Sequence, residues 1–417
     1  MLQHCAIFLP GNTQVSWVLE QLLLGKWLIQ EMALPKDNVL VFSEQAIAAF
    51  IEEEQKHDRF LVTNHTNQSL QSMSSGERKK AFLAYLLAQQ PAVLILDNLW
   101  DNVDTESVLY LQKQLTQLSE SCTIIQLFYR MGDLLPFVEK VAEYNTKGYL
   151  QHWQSRQQFS TVQPIVAQSG ADFNLPLPPP LGQIPIVQKE LIVLQQVNVQ
   201  YDGRPILNSI NWTIVQNSFW QLKGPNGAGK STLLSMLNGD NPKGYGQNMW
   251  LFGRKKGSGE SIWDIKKNIG YFSPQLVQQF ERLDSIEQMV IGGYFDSVGL
   301  YLVPSELQIK FAQRWLQILG LFNEKHRPFR FFSPAQQRQI LIVRAMVKHP
   351  PLLILDEPTA GLDDAQAATI VRLINKIAAE SNTAIVYVSH RTEKGLQATQ
   401  VYELVPGAEG SIGRVVA

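Results

Sequence analysis

The chain has 417 residues, 45% hydrophobic and 18% charged, with a formal net charge of −1. That length suits two or three domains with cores of their own, and the balanced charge gives no general reason to bind nucleic acid or an anionic membrane. Two cysteines, Cys5 and Cys122, are too few for a disulfide framework and are expected as small buried hydrophobes in a reducing cytosol, and no apolar run approaches the ~20 residues of a membrane helix.

The chain opens with an apolar patch, 5–9, that has no basic flank and does not read as a signal peptide. Residues 73–77 (MSSGE) precede an apolar run that ends in Asp97 and Asn98, with Asp104 shortly after. Residues 151–168 are rich in glutamine and show neither helical nor strand period. At 175–185 (LPLPPPLGQIP) the composition favours an extended polyproline-type backbone, so 161–188 is expected to be a linker. On each side of it, short apolar strands alternate with longer amphipathic helices, the pattern of parallel sheets with crossover connections.

In the second half, Tyr201 lies in VQYDGRPIL, where it is either a platform for a purine base or a core tyrosine. Residues 224–231 (GPNGAGKS) follow a strand-like stretch, 218–222, and open a helical pattern, 232–237. That is the setting a phosphate-binding loop requires. Its glycines, Gly224, Gly227 and Gly229, let the backbone curl so that N–H groups, with Asn226 and Ala228 between them, converge on phosphate at a helix N-terminus. Lys230 adds a positive charge for the β- and γ-phosphates, Ser231 offers a hydroxyl to Mg²⁺, and Thr232 follows on the helix.

Gln275, after the strand-like segment 269–273, could reach Mg²⁺ or water. The all-apolar run 352–355 reads as a strand buried on both faces and ends in Asp356 and Glu357. A carboxylate at the end of a parallel strand suits a metal, and the next one suits the activation of water. His390 follows a further apolar strand, 383–389, where it can donate to a phosphoryl group gaining charge. The basic run Arg254, Lys255, Lys256 reads as a solvated turn without a role.

The most informative feature is an internal repeat. QQPAVLILDNLWDNVD, ending at Asp104, matches KHPPLLILDEPTAGLD, ending at Asp363, and the two aspartates lie 259 residues apart. Ser74 of MSSGERKK and Ser333 of FSPAQQRQ are separated by the same 259 residues, so the chain reads as a tandem duplication.

Phosphate loop, LILDEP strand, Asp363 loop and His390, in that order and spacing, resemble an ATP-binding cassette, strongly over 189–417 and patchily over 1–150. The stretches DGRPILNSINW, LFGRKKGSGESIWDIKKNIGY and GGYFDSVGLY further resemble tandem cassettes of the ModF/PhrA type. The resemblance implies an α/β fold of two P-loop NTPase-like cassettes in tandem. The first, 1–160, is shortened and degenerate; the second, 189–417, is complete, with an antiparallel β lead-in and a helical subdomain.

In that family each nucleotide is held between the phosphate loop of one cassette and the signature segment of the other. The first cassette keeps the signature as Ser74, Ser75 and Gly76 but has lost the phosphate loop, whose best remnant, 9–17 (LPGNTQVSW), lacks the lysine. If Ser16 is the counterpart of Lys230, the first copy has lost 45 residues between loop and signature. Asn98 stands where Glu357 stands in the other copy, and Tyr129 lies near the position of His390. The second signature places Pro334 and Ala335 where glycine N–H groups are needed, and proline has none to offer.

Intact parts therefore face intact parts, which implies one composite ATP site. In it Tyr201 stacks the base, Glu357 activates water, and Asp356, Ser231 and Gln275 surround Mg²⁺. His390 completes the γ-phosphate pocket, Ser74 and Gly76 close over it, and Asp104 lies near the seam. The expected cofactors are ATP and Mg²⁺. The expected location is cytoplasmic, or peripheral at the inner face of the plasma membrane beside an integral membrane transporter subunit. Cassette contact is expected within the chain or in a homodimer, and no nucleic acid is expected as partner. Three rivals stand beside ATP hydrolysis. One is a (molybdate-like) ABC transporter subunit with a separate membrane partner, another a sensor that binds ATP without turnover. The third is a ribosome-acting tandem protein, disfavoured because such proteins usually keep two intact sites and a longer charged linker.

Overall fold

A computed structural model of the chain describes residues 3–11, 13–25, 38–63, 68–101, 103–145, 149–150, 152–161, 170–182, 189–280 and 283–416. Parts of the glutamine-rich stretch and of the expected linker, 161–188 (151, 162–169 and 183–188), and Asn12 of the segment read as a loop remnant, lie outside the described residues. The chain forms two compact units, one of Met1–Ile165 with Gly361–Ala365, the other of Val166–Ala360 and Gln366–Ala417.

The first unit runs β1 (Cys5–Phe8), α1 (Val15–Leu23), β2 (Val39–Phe42), α2 (Glu44–His57), α3 (Ser75–Ala88), β3 (Val93–Asp97), α4 (Thr105–Leu118), β4 (Thr123–Phe128), β5 (Lys140–Glu143), β6 (Gln154–Ser155) and α5 (Arg156–Thr161). Its sheet has the order β2-β3-β4-β1-β5-β6, with every pair parallel except β5 and β6. Alternate residues of the central strands serve opposite layers. Ala6, Phe8, Leu94, Leu96 and Ile124 pack with Phe82, Leu83, Leu111 and Leu115 of α3 and α4, whereas Cys5, Ile7, Val93, Ile95, Ile125 and Leu127 pack with Val18 and Leu22 of α1. Burial on both faces is why these strands read as continuous apolar runs rather than as alternation. Both cysteines are free and packed in these layers, and burial pushes Cys5 up to about 12 and Cys122 to about 11, so neither is a ready thiolate.

The second unit begins with a four-stranded antiparallel sheet, order β11-β10-β7-β8, made of β7 (Glu190–Tyr201), β8 (Arg204–Val215), β10 (Met249–Leu251) and β11 (Arg254–Lys255). Asp202 and Gly203, both at positive φ, turn β7 into β8 as a two-residue hairpin, the geometry that an Asp-Gly pair favours. Its main sheet contains β9 (Phe219–Lys223), β12 (Ile269–Phe272), β13 (Leu352–Asp356), β14 (Ala384–Val388), β15 (Gln400–Val405) and β16 (Ile412–Val416), in the order β12-β13-β14-β9-β15-β16. Helices α6 (Lys230–Leu237), α7 (Ile262–Lys266), α8 (Leu276–Gln279), α9 (Ile286–Gly292), α10 (Glu306–Ile318), α11 (Pro334–Met346) and α12 (Asp364–Glu380) connect them.

The two main sheets have the same strand order, position for position, which gives the duplication a structural form. Strand β9 begins 214 residues after β1, and β13 begins 259 residues after β3, so the first unit is 45 residues shorter between these points. Among the described residues it has no counterpart of the β7–β8–β10–β11 sheet.

The stretch 170–182 is fastened to the second unit. Asp172 N donates to Ile318 O (2.9 Å), Leu177 N donates to Glu380 Oε2 (3.0 Å), and the Arg372 guanidinium lies 4.8 Å over the Phe173 ring. The basic run needs a correction. Arg254 and Lys255 are exposed, but Lys256 is buried, 4.7 Å over the Tyr245 ring and 3.7 Å from Glu260 Oε1. A lysine whose stem and charge both find internal partners can act as a tether inside a turn.

Candidate nucleotide site

Four parallel strands of the second unit end at one edge of the sheet, and each leads into a predicted site segment. Strand β9 leads into the loop of Gly224, β12 into Ser273–Gln275, β13 into Asp356 and Glu357, and β14 into Ser389 and His390. Pairing of Asp356 with Val388 and of Val388 with Leu222 brings three of these ends level. The carboxyl ends of parallel strands are where α/β sheets leave room for ligands.

The loop between β9 and α6 depends on glycine. Gly227 and Gly229 lie at φ +77° and +86°, and a Cβ on Gly229 would come within 2.7 Å of Leu207 Cδ2. Gly229 is the N-cap of α6, so the helix starts at Lys230 with its first N–H groups facing the loop. The stem of Lys230 is buried, and its Nζ donates to Gly224 O (2.7 Å) and Pro225 O (2.9 Å). Ala228 is buried, Asn226 partly so, and Gly227 and Ser231 are exposed at the surface, with Thr232 half-buried one residue along.

Burial pushes the Asp356 carboxyl up to about 6, while the Lys230 charge pulls the other way. Glu357 has a left-handed backbone, φ +48°, costly for a residue with a long side chain. Its N–H donates to Val388 O (2.9 Å), and its Oε1 accepts from His390 N (3.1 Å) and lies 3.4 Å from His390 Nε2. The oxygen donors of Asp356 and Ser231 suit Mg²⁺, which usually takes one or two protein ligands and completes its shell with substrate phosphate and water. Gln275 is exposed at the N-cap of α8, on the same sheet edge. Tyr201 is 39% exposed at the hairpin, so it is not a core tyrosine. Its hydroxyl accepts from Asn241 Nδ2 (2.8 Å), and the Lys243 ammonium lies 5.8 Å over its ring.

In the first unit the strand ends are present but carry other chemistry. Asp97 occupies the place of Asp356 and is likewise pushed up to about 6 by burial, with a Tyr129 hydroxyl 3.3 Å from its Oδ1. Asn98 repeats the left-handed backbone at φ +48°, and its amide donates to Asp101 Oδ2 (2.7 Å). Ser74 caps α3 through a reciprocal pair with Glu77, in which Ser74 N donates to Glu77 Oε2 (2.9 Å) and Glu77 N donates to Ser74 Oγ (3.3 Å). Ser75 is the first residue of that helix. Gly76 is buried against α4, where an added Cβ would meet Ser107 Oγ at 2.8 Å. Asp104 caps α4 by accepting from Ser107 N (2.8 Å) and Ser107 Oγ (3.1 Å). Ser333 makes the same capping box on α11 with Gln336, and Pro334 sits at the first helical position, where its missing N–H costs nothing to the helix.

Two residues that sequence reading passed over do matching work. Lys79 is fully buried, and its Nζ donates to Asn98 O (3.2 Å), Leu99 O (3.2 Å) and Asp101 O (2.9 Å) and pairs with Glu44 (2.9 Å). Arg338, 259 residues later, donates to Pro358 O (3.2 Å) and Ala360 O. Each cation ties the signature helix to the loop after the strand-end carboxylate. The signal was in the repeat itself, where MSSGERKK and FSPAQQRQ carry a basic residue at the same offset.

A glycine loop at a helix start, with a half-buried aspartate and the glutamate after it at the end of a parallel strand, defines a nucleotide-binding cassette of the P-loop type. The chain belongs to the ATP-binding cassette (ABC) proteins. A family model described as ABC transporter matches residues 207–360. The ABC transporter ATP-binding protein ModF of Escherichia coli K12 is 38% identical over 86% of this chain and 74% of its own length. A Saccharomyces cerevisiae protein, the uncharacterized ABC transporter ATP-binding protein YDR061W, is 25% identical over 85% of this chain and 72% of its length. Among solved structures, a chain in a model of ribosome-bound archaeal Pelota and ABCE1 matches over all of this chain and 75% of its own, at a TM-score of 0.64. At 14% identity this likeness is one of fold.

Proposed function

We propose that this chain binds and hydrolyses MgATP at one composite site, made of the phosphate loop, Asp356, Glu357 and His390 of a cassette at 189–417 and the Ser74 signature of a cassette at 1–160. The observation that carries the reading is the convergence, at one sheet edge, of Lys230, the half-buried Asp356 and the Glu357–His390 pair. The distribution of intact motifs supports the composite form, because the damaged signature and the damaged loop are the two halves that such a site does not use.

In this reading Lys230 and the α6 N-terminus hold the β- and γ-phosphates, and Asp356, Ser231 and Gln275 hold Mg²⁺ directly or through water. Tyr201 stacks on adenine. Glu357 takes a proton from the attacking water as its oxygen bonds to the γ-phosphorus. The bond to the bridging oxygen breaks, leaving ADP and phosphate, and His390 stabilises the transferring group. Ser74, Ser75 and Gly76 close over it, with Asp104 near the seam, within one chain or between two copies. Closure on ATP and release after hydrolysis would be a ligand-driven population shift.

Replacing Glu357 with Gln is expected to cut steady-state phosphate release by roughly a hundredfold or more while ATP still binds. Turnover close to the parent's would remove Glu357 from the mechanism. A transport role is supported by the name of the E. coli relative, an ABC transporter ATP-binding protein. No helix among the described residues is long and apolar enough to cross a membrane, so a transporter would need a separate membrane subunit. Co-purification of such a subunit in mild detergent would support this role and a peripheral place at the inner membrane face. Its absence would favour a cytoplasmic ATPase acting otherwise.

A further inference from the structure

Beyond Glu357 and His390, their two loops meet a second time at a buried point. Thr359 Oγ1 donates to Glu393 Oε1 (2.6 Å) and lies 3.1 Å from the Tyr387 hydroxyl, with all three side chains buried. Thr359 is two residues after Glu357, on the loop leaving β13. Glu393 is three residues after His390, on the loop leaving β14, and Tyr387 is on β14 itself. The loops are thus joined twice, once by Glu357 and His390 and once by Thr359 and Glu393.

A glutamate in a surface loop can extend into water at no cost, whereas burying it requires charge-assisted hydrogen bonds in return. The short Thr359 contact is of that kind. Burial and the Glu393 charge both raise the Tyr387 phenol well above its ordinary range, so it stays protonated and able to donate. From the other side, Arg338 holds Pro358 O and Ala360 O, the carbonyls that flank Thr359. The loop carrying Glu357 is therefore clamped along its length, and the His390 loop is attached to the clamped part.

We propose that Thr359 and Glu393 are positioning residues, whose buried contact sets His390 against Glu357 so that water and the transferring phosphoryl group meet in one geometry. The proposal rests on the ATPase reading and deepens it. Both side chains are buried, and neither belongs to the phosphate loop. Removing the contact should leave nucleotide affinity alone, because the phosphate loop is untouched, and should lower the rate of the chemical step.

The test uses the full chain and the variants Thr359→Val, Thr359→Ser, Glu393→Gln and the double Thr359→Val/Glu393→Gln. Steady-state phosphate release, binding of a fluorescent ATP analogue and thermal unfolding are measured for each. Thr359→Val and Glu393→Gln should each lower kcat about tenfold with analogue Kd unchanged, and Thr359→Ser, which keeps the hydroxyl, should restore most of the rate. The double variant should fall no further than Thr359→Val, since Glu393→Gln weakens a charge-assisted contact that the loss of the hydroxyl already abolishes. Parent-like kcat in Thr359→Val and Glu393→Gln overturns the proposal and leaves the ATPase reading standing. So does a loss of kcat that tracks equal losses of affinity and melting temperature and is not rescued by Ser. A parent chain without turnover overturns both.

Discussion

Asp97, Asn98 and Tyr129 in the first unit and Asp356, Glu357 and His390 in the second occupy corresponding strand ends of two sheets with one topology. The backbone is the same down to the left-handed residue after each aspartate, and each aspartate is raised to about 6 by burial. The neighbours differ. Asp356 has the Lys230 charge acting on it, whereas Asp97 has a tyrosine hydroxyl and the Lys79 charge beneath it. Asn tolerates positive φ better than Glu, so the first unit has relaxed a strain that the second retains where the proposed mechanism needs a reactive carboxylate. A duplicated scaffold can keep its packing while one copy trades a site's reactivity for internal hydrogen bonds.

The comparison can be broken most forcefully at Lys79. Replacing it with Leu leaves three carbonyls without their donor and should destabilise the first unit by about 3 kcal/mol. Amide exchange in α3 and β3 would show this as faster opening, and parent-like protection there would mean the anchor is dispensable.

A somewhat smaller effect, of opposite sign, is expected for Asp97→Asn. An acid whose folded pKa rises from 3.8 to about 6 keeps its proton while the unfolded chain releases one, so stability falls as pH rises between those values and stays lowered above them. The amide, which still accepts from Tyr129, should stabilise the first unit at pH 8 by on the order of 2 kcal/mol, with the gain fading below about pH 6. A gain independent of pH would refute the cause.

The smallest effect sharpens the comparison most. Ser74→Ala and Ser333→Ala each remove one capping box and should each cost about 1 kcal/mol of stability. If the composite site is as proposed, only Ser74→Ala also slows ATP turnover, measured as phosphate release at saturating ATP. Equal effects on turnover would show that both serines are caps and nothing more.

Much of the site was legible in the sequence because its chemistry needs residue types at short, rigid spacings. GPNGAGKS must be contiguous to curl around phosphate, and LILDE must be an apolar strand with its carboxylates at the end. The shortening of the first copy was readable from two offsets, 214 and 259, and the strand positions repeat both. Thr359 with Glu393 was not legible, because the two lie 34 residues apart on separate loops, and nothing in TAGLD or HRTEK marks a buried pair. Lys256 was equally hidden, since a lysine in a polar stretch reads as solvated until the fold supplies a carboxylate and a ring around it.

By itself, then, the sequence determined the family, the duplication and the places of the candidate phosphate loop and strand-end carboxylates, because these depend on local spacing and on the hydrophobic period. Only the tertiary structure decided which polar groups are buried and whom they meet, such as the cap at Ser74, the packing against Gly76 and the joint between the loops of Glu357 and His390. Burial raises the energetic weight of such contacts, but it is a property of the folded neighbourhood and leaves no periodic mark along the chain.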